Sequence, residues 1–169
     1  MAALQRDLNL LVIEDNPGDF VLINEYLAEM TDAVNIHHTK TFAETKTVLQ
    51  QDSHFDAVLL DLTLPDLSGE NLVEQVVQLT GQIPIIVLTG YENQEFGLKT
   101  MSMGVADYLL KDEITPFILG KVISYSIERN RVRLSLKKSE KKYRDIFNLS
   151  PQPMFLIDIE TRSIRDVND

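Results

Sequence analysis

The chain of 169 residues contains no cysteine. Disulfide bonds, thiolate nucleophiles and cysteine zinc sites are therefore excluded, and their absence fits a reducing compartment. Long hydrophobic runs are also missing, since even Leu8–Ile13 is interrupted by Asn9, and a bilayer span needs roughly 20 apolar residues. The first residues lack the pattern of a secretory signal peptide. We expect a cytoplasmic protein that does not enter a membrane.

Basic residues are scarce before residue 117. Residues 1–116 hold 5 Lys or Arg against 19 Asp or Glu, and this net charge of −14 disfavours direct nucleic acid binding. Residues 117–147 carry +6 and residues 148–169 carry −2. The reversal of charge predicts a change of architecture near residue 117.

Apolar runs of strand length alternate with segments of helical period. We predict strands at 9–14, 33–39, 56–61, 83–89 and 105–110, helices at 17–30, 41–51, 68–80 and 92–103, and a long helix that Thr115 caps and Pro116 begins. Alternation with short turns predicts an α/β fold, a doubly wound parallel sheet covered on both faces. We expect a flavodoxin-like (βα)5 fold with strand order 2-1-3-4-5, an extended C-terminal helix and a short β segment.

Polar residues mark the carboxyl ends of the predicted strands. Glu14 and Asp15 end the first strand, Asp61 the third and Thr89 the fourth, while the fifth leads to Lys111. In a parallel sheet these ends share one edge, and the switch point of this strand order brings Glu14, Asp15 and Asp61 together. Each residue alone fits a turn, a cap or a surface position, so only the combination predicts a site.

The combination suits phosphoryl chemistry. Three carboxylates in one cleft repel one another, and a divalent cation that prefers oxygen ligands, Mg²⁺ or Mn²⁺, would relieve the repulsion. Lys111 adds a positive charge and Thr89 a hydroxyl donor, the groups that stabilise a transferring phosphoryl group. Asp61 would then be the nucleophile that forms an acyl phosphate.

Four segments resemble the signature blocks of the response-regulator receiver domain: LLVIEDNPGD, DAVLLDLTLPDLSG, PIIVLTG and GVADYLLK. The resemblance covers about residues 8–127. It implies that Asp61 accepts a phosphoryl group from the phosphohistidine of a histidine kinase or phosphotransfer protein. The chain would then catalyse only its own phosphorylation and dephosphorylation, without turnover of an outside metabolite.

The resemblance also implies roles for the neighbours of Asp61. Asp15, Asp61 and the main-chain oxygen of Thr63 would bind Mg²⁺ directly, and Glu14 would act through water. Lys111 would contact the phosphoryl group. Switching on activation would involve Thr89 and Tyr108, and further N–H donors would come from Leu62 and Gly90.

One position departs from the family pattern, and two others are expected to tune the lifetime of the phosphoryl group. Asp112 follows Lys111 where many receivers have proline, so the loop after the fifth strand is expected to be set differently. Thr63 and Tyr91 stand where the lifetime of the phosphoryl group is tuned, and we hypothesise that the bulky Tyr91 shields it from water.

The three histidines are expected to be structural. His37 and His38 are adjacent in a predicted strand and so point to opposite faces, and neither they nor His54 fall on the reactive edge.

A heptad seam runs through the long helix. Residues at alternating spacings of four and three are Ile118, Val122, Tyr125, Arg129, Val132, Leu136, Ser139, Tyr143 and Ile146, of which Arg129 and Ser139 are polar breaks. We expect residues 128–147 to form an extended signalling helix, and the 118–146 seam to pair in a homodimer. Its basic residues could instead touch nucleic acid or anionic lipid, although the solvated flank of a coiled coil is favoured.

The last segment, YRDIFNLSPQPMFLIDIETRSIRDVND, resembles the opening of a PAS sensor domain. PMFLIDI and SIRDVN would be its first two strands, joined at 160–162. Two strands alone are marginally stable, so residues 148–169 are expected to be the N-terminal fragment of a PAS domain from a longer protein with an output module.

Two other functions use the same features. A haloacid-dehalogenase-type aspartyl-phosphate phosphatase also has a strand-tip Asp with Mg²⁺, but it prefers a second Asp two residues on, where this chain has Thr63. A pseudo-receiver that serves only as a dimerisation module is disfavoured by the intact set of five side chains.

Overall fold

A parallel sheet of five strands forms the centre of the first of two compact units, residues 1–130 and 131–169, into which the chain divides. The computed structural model describes residues 7–30, 33–51, 54–90 and 99–168. The strands are β1 (Leu8–Ile13), β2 (Val34–Thr39), β3 (Ala57–Asp61), β4 (Ile85–Thr89) and β5 (Asp107–Leu110). Their order, β2-β1-β3-β4-β5 with every pair parallel, confirms the predicted flavodoxin-like sheet.

Helices cover both faces of the sheet. They are α1 (Pro17–Met30), α2 (Phe42–Gln51), α3 (Gly69–Thr80), α4 (described over residues 99–102) and α5 (Pro116–Asn148). One buried apolar cluster joins the sheet to α1 and α5, and a second joins its other face to α3 and α2. The predicted fourth helix, 92–103, falls largely on residues 91–98, which lie outside the described part of the chain.

Each strand begins one or two residues away from its predicted start, and β1 also ends one residue earlier than predicted. β1 ends one residue before Glu14, although the Glu14 N–H still donates to the Thr39 carbonyl oxygen at 3.0 Å. β5 begins at Asp107 rather than at residue 105, because the Val105 N–H bonds back to the Thr100 carbonyl oxygen at 3.3 Å. An apolar run predicts where a strand is buried, whereas backbone hydrogen bonds decide where the ladder starts and stops.

The loop after β3 is folded back on itself. The Gly69 N–H donates to the Leu62 carbonyl oxygen at 2.8 Å, and Thr63 pairs with Ser68 in an antiparallel bridge. Gly69 has a φ of +63°, a left-handed backbone conformation in which a residue with a side chain would be strained. The turn therefore keeps Thr63 beside the tip of β3.

The same loop caps a neighbouring helix. The Asp66 carboxylate accepts the N–H groups of Phe42 and Ala43, at 2.9 and 3.0 Å, where α2 begins. These bonds, led by that from Phe42, hold the pKa of Asp66 below its ordinary value. The β3–α3 loop is thereby fixed to α2.

Replacing Asp66 with alanine is expected to lower the free energy of unfolding by about 1 kcal/mol, the usual cost of losing a helix cap. Because the folded pKa is depressed, the difference from wild type should be present at neutral pH and disappear as Asp66 is protonated in acid. Urea unfolding at both pH values measures it. Glu74→Ala, which removes an exposed acid within α3, is the control, and an equal loss in both variants would contradict the capping role.

The start of α5 agrees with the prediction. Thr115 Oγ1 accepts the Ile118 N–H at 3.2 Å and caps the helix. Leu119 and Ile123 are fully buried against the sheet, so the face of α5 that packs on the core lies beside the predicted seam rather than on it. The buried Ser126 hydroxyl has no hydrogen-bond partner among the described residues.

The second unit, taken by itself, contains an antiparallel pair, β6 (Phe155–Ile157) and β7 (Ile164–Val167). The Asp158 carboxylate shapes the turn by accepting the N–H groups of Glu160 and Thr161, at 3.0 and 2.9 Å. Asn168 Oδ1 accepts the Met154 N–H at the open end of the pair. The two predicted strands are present, each shorter than its sequence pattern.

Candidate functional site

The predicted site residues meet at the carboxyl edge of the sheet. Asp61 and Thr89 are the last residues of β3 and β4, Glu14 follows β1 directly, and Lys111 follows β5 in a single 3-10 turn. An open cleft at this edge is lined by Asp15, Asn16, Asp19, Asp61, Thr63, Gly90 and Lys111. Burial of the strands makes their tips a rigid frame for these side chains.

Three carboxylates form the centre of the cleft. Oxygen atoms of Glu14, Asp15 and Asp61 lie within 4.8 Å of one another. Glu14 and Asp61 are buried, and Asp15 is more exposed. This set of oxygen ligands suits Mg²⁺ or Mn²⁺ and, without a cation, brings like charges together.

Lys111 is the positive charge of the cleft. Its Nζ atom lies 2.8 Å from Glu14 Oε2, 2.7 Å from Asp19 Oδ2 and 3.3 Å from Asp61 Oδ2. The contacts with Glu14 and Asp19 are hydrogen bonds, whereas the contact with Asp61 is a longer ion pair.

Burial and charge shift the ionisation of these groups. Desolvation, together with the Asp61 charge, raises the pKa of Glu14 to about 7 despite its hydrogen bond with Lys111. Desolvation also raises the pKa of Asp61, against the opposing effects of Lys111 and the N–H groups of Leu62 and Thr63. Burial acts to lower the pKa of Lys111, but its bonds with Asp19 and Glu14 and the acid charges raise it overall. Without a bound cation, the cleft would therefore hold more negative charge than its surroundings readily stabilise.

The predicted switch and tuning residues take different positions. Thr89 is buried at the end of β4, and the next residue, Gly90, lines the cleft. Tyr108 is half-buried against the cluster on the α2 and α3 side of the sheet. Thr63 lines the cleft and is exposed, whereas Tyr91 lies outside the described residues.

Two residues near the site were missed or set aside by the sequence analysis. Asp19, in the first turn of α1, bonds Lys111, and its place four residues after Asp15 on the same edge could have indicated it. His38 stacks on Phe20 with ring centroids 3.6 Å apart, and its Nε2 lies 2.7 Å from the Glu14 carbonyl oxygen. A carbonyl oxygen only accepts, so this Nε2 carries the proton, and the structural role of His38 includes holding the Glu14 backbone.

Comparison with known proteins identifies the family. Residues 10–122, more than half of the chain, match the model of the response regulator receiver domain. The chain belongs to the response regulator receiver domain family. Receiver domains bind Mg²⁺ at an acidic site, and the three clustered carboxylates of this receiver domain fit such an ion.

Two curated relatives share this region. A probable cyclic di-GMP phosphodiesterase of Vibrio cholerae is 27% identical over 117 residues, which cover 67% of this chain and 25% of the relative. The probable transcriptional regulatory protein SilR of Salmonella typhimurium is 26% identical over 132 residues, which cover 78% of this chain and 52% of the relative. The matched regions thus span a quarter and about half of the lengths of these relatives.

A solved structure shares the fold. The receiver domain of a sensor histidine kinase from Pseudomonas aeruginosa PAO1, with a magnesium ion coordinated in its active site cleft, is 23% identical with a TM-score of 0.62. The likeness covers 72% of this chain and 98% of that one. Within the described part of this receiver chain, no helix is both long and apolar enough to cross a membrane.

Proposed function

We propose that Asp61 of this receiver domain accepts a phosphoryl group from the phosphohistidine of a histidine kinase or phosphotransfer protein. The observation that carries the proposal is the Asp61 carboxylate at the tip of β3, with two further acids within 4.8 Å and the Lys111 ammonium at 3.3 Å. These are the nucleophile, the cation ligands and the charge that phosphoryl transfer requires.

The transfer has a simple balance of bonds. An oxygen of the Asp61 carboxylate attacks phosphorus, the P–N bond to the donor imidazole breaks, and its electron pair stays on the ring nitrogen, which takes up a proton. The product is an acyl phosphate. Hydrolysis of the acyl phosphate by water returns the carboxylate and inorganic phosphate, so the protein turns over no outside metabolite. Lys111, already in contact with Asp61, supplies positive charge to the oxygens of the transferring group.

The carboxylates divide between two roles in this proposal. Asp15, Asp61 and the main-chain oxygen of Thr63 hold Mg²⁺ directly, and Glu14 acts through water. The burial of Glu14 and its bond with Lys111 support the indirect role, because its oxygens are already engaged. When bound, Mg²⁺ supplies charge that offsets the repulsion among the acids and the phosphoryl oxygens.

The response to phosphorylation is proposed to pass through Thr89 and Tyr108. Thr89 would turn toward the phosphoryl group, and Tyr108, now half-buried against the core, would change rotamer with it. The surface formed by α4, β5 and α5 would change as a result. Thr63 and Tyr91 are proposed to tune the lifetime of the acyl phosphate.

Incubation with acetyl phosphate and Mg²⁺ tests the phosphoacceptor proposal. Intact-mass measurement should show the added mass of one phosphoryl group, which hydroxylamine removes as expected for an acyl phosphate. The modified peptide should contain Asp61. Failure to gain the group under these conditions would overturn the proposal, and sustained catalytic release of phosphate from small esters would instead indicate a phosphatase of the haloacid-dehalogenase type.

The parts of the chain are proposed to act in series. The receiver domain occupies residues 8–127, an extended signalling helix residues 128–147, and the N-terminal fragment of a PAS domain residues 148–169. The continuous α5 and the antiparallel β6–β7 pair support this division.

Pairing of two copies through the 118–146 seam is proposed as the route from receiver to output. Val132, Leu136, Tyr143 and Ile146 are each 57–59% exposed, an apolar stripe with coiled-coil spacing. The proposed partners are therefore a histidine kinase or phosphotransfer protein and a second copy of this chain. Direct nucleic acid binding is not proposed.

Leu136→Glu is expected to weaken self-association by about tenfold or more, because it places a charge in the apolar seam. Sedimentation equilibrium across a range of protein concentrations measures the effect. Lys141→Glu, which places a glutamate on the exposed helix face opposite the seam, should associate like the wild type. A wild-type protein that stays monomeric at all concentrations would contradict the dimer.

A further inference from the structure

Asp19 contacts Lys111 without belonging to the cluster of three acids. Its Oδ2 accepts from Lys111 Nζ at 2.7 Å, while the same nitrogen lies 2.8 Å from Glu14 Oε2 and 3.3 Å from Asp61 Oδ2. Asp61 thus has the longest of the three contacts. Hydrogen bonds to Glu14 and Asp19 already use two of the three N–H donors, so phosphoryl oxygens on Asp61 would compete with these two acids for the ammonium.

The two hydrogen-bonded partners, Glu14 and Asp19, differ in what their release costs. The Glu14 side chain is 1% exposed, so losing Lys111 would leave a buried carboxylate without its counter-charge. The Asp19 side chain is 38% exposed and lies in the first turn of α1, where water and the helix N-terminus both stabilise a negative charge. Asp19 is therefore the partner that releases Lys111 most readily.

We propose that Asp19 is a positioning residue that competes with the phosphoryl group for the Lys111 ammonium. It holds Lys111 toward α1 in the unphosphorylated protein and gives it up when the phosphoryl oxygens arrive. The proposal rests on the proposed function of Asp61 as the phosphoacceptor. The net free energy gained when Lys111 contacts the phosphoryl group is therefore reduced by the cost of breaking the contact with Asp19.

Removal of the competing charge should therefore favour the phosphorylated form. In Asp19→Asn, the affinity for beryllofluoride at saturating Mg²⁺ is expected to rise about fivefold, the size of a partly exposed ion pair. The affinity for Mg²⁺ alone should stay the same or fall, because the cleft loses a negative charge near the cation. A gain in beryllofluoride affinity without a gain in Mg²⁺ affinity is a result that a merely structural role of Asp19 would not produce.

The experiment uses the full 169-residue chain and titrates beryllofluoride and Mg²⁺ separately by calorimetry or NMR. Asp112→Asn is the matched control for charge, since it removes an acid that lines a small cleft together with Asp19 and Lys111. It should change beryllofluoride affinity less than Asp19→Asn does. Asp19→Glu, which keeps the carboxylate, should return the affinity toward the wild-type value.

A double-mutant cycle isolates the pair. If Asp19 acts through Lys111, Asp19→Asn should give no gain when Lys111 is already replaced by glutamine. Equal beryllofluoride affinity in the wild type and Asp19→Asn, or a gain that persists without Lys111, would overturn the role of Asp19 while leaving the proposed function intact. No beryllofluoride uptake by either protein would overturn the phosphoacceptor function and, with it, this proposal.

Discussion

Asp61→Asn is expected to reduce phosphorylation by acetyl phosphate on the order of 100-fold or more, to background, because an amide lacks the carboxylate oxygen that attacks phosphorus. The variant should nevertheless fold. Asp61 is buried beside Glu14, and removing its charge relieves the repulsion that helps to raise the Glu14 pKa. Without Mg²⁺, the unfolding midpoint of the variant should therefore equal or exceed that of the wild type.

The two measurements separate lost chemistry from lost structure. Asp112→Asn removes an exposed acid at the same edge of the sheet and should leave phosphorylation unchanged. Undiminished incorporation in Asp61→Asn would place the acceptor elsewhere, with Asp15 the first alternative in the cleft. A variant that loses both phosphorylation and stability would show that Asp61 is needed for folding, contrary to the repulsion argument.

A rise from about pH 5 to about pH 8 without Mg²⁺ is expected to destabilise the protein through Glu14 by on the order of 2–3 kcal/mol. The folded protein holds the Glu14 proton up to a pKa of about 7, whereas the unfolded chain releases it near 4.5. The stabilising contribution is therefore complete below about pH 4.5 and is lost as pH rises through 7. Mg²⁺ needs ionised acids, so its affinity should increase over the same range.

Denaturant unfolding with EDTA or with Mg²⁺ at several pH values measures both effects. Stabilisation by Mg²⁺ should be small near pH 5 and large near pH 8. In Glu14→Gln the group no longer titrates, so the pH dependence without metal should flatten between these values. Equal Mg²⁺ affinity at both ends of the range, or an unchanged pH profile in Glu14→Gln, would contradict a raised Glu14 pKa.

Much of the fold could be predicted because buried parallel strands leave a strong pattern. Runs such as those around Val58–Leu60 and Ile85–Leu88 are apolar at every position, and their tips carry the polar residues of the site. Strand ends were less predictable, as Glu14 and Asp107 show, because a local hydrogen bond can begin or end a ladder inside an apolar run.

The seam of α5 shows a second limit of predicting structure from the hydrophobic pattern of a sequence. The heptad spacing through Val132 and Leu136 is visible in the sequence, but the fully buried apolar side chains of the helix are those of Leu119 and Ile123. A helix that carries apolar residues on two adjoining faces does not indicate from periodicity alone which face meets the sheet.

Residue types and their order along the chain were enough to predict a parallel sheet and the edge where Asp61 meets the other acids, because parallel strands bring their carboxyl ends together whatever the details of packing. The partners of Lys111 were not predictable in this way. Its bonds to Glu14 and Asp19 join residues 97 and 92 positions apart, and solvent exposure is what distinguishes these two acids. The burial that raises the Glu14 pKa is likewise a product of packing around the cleft. Such distances and solvent exposures exist only once the helices have packed on the sheet, since desolvation and Coulomb energies depend on three-dimensional separation.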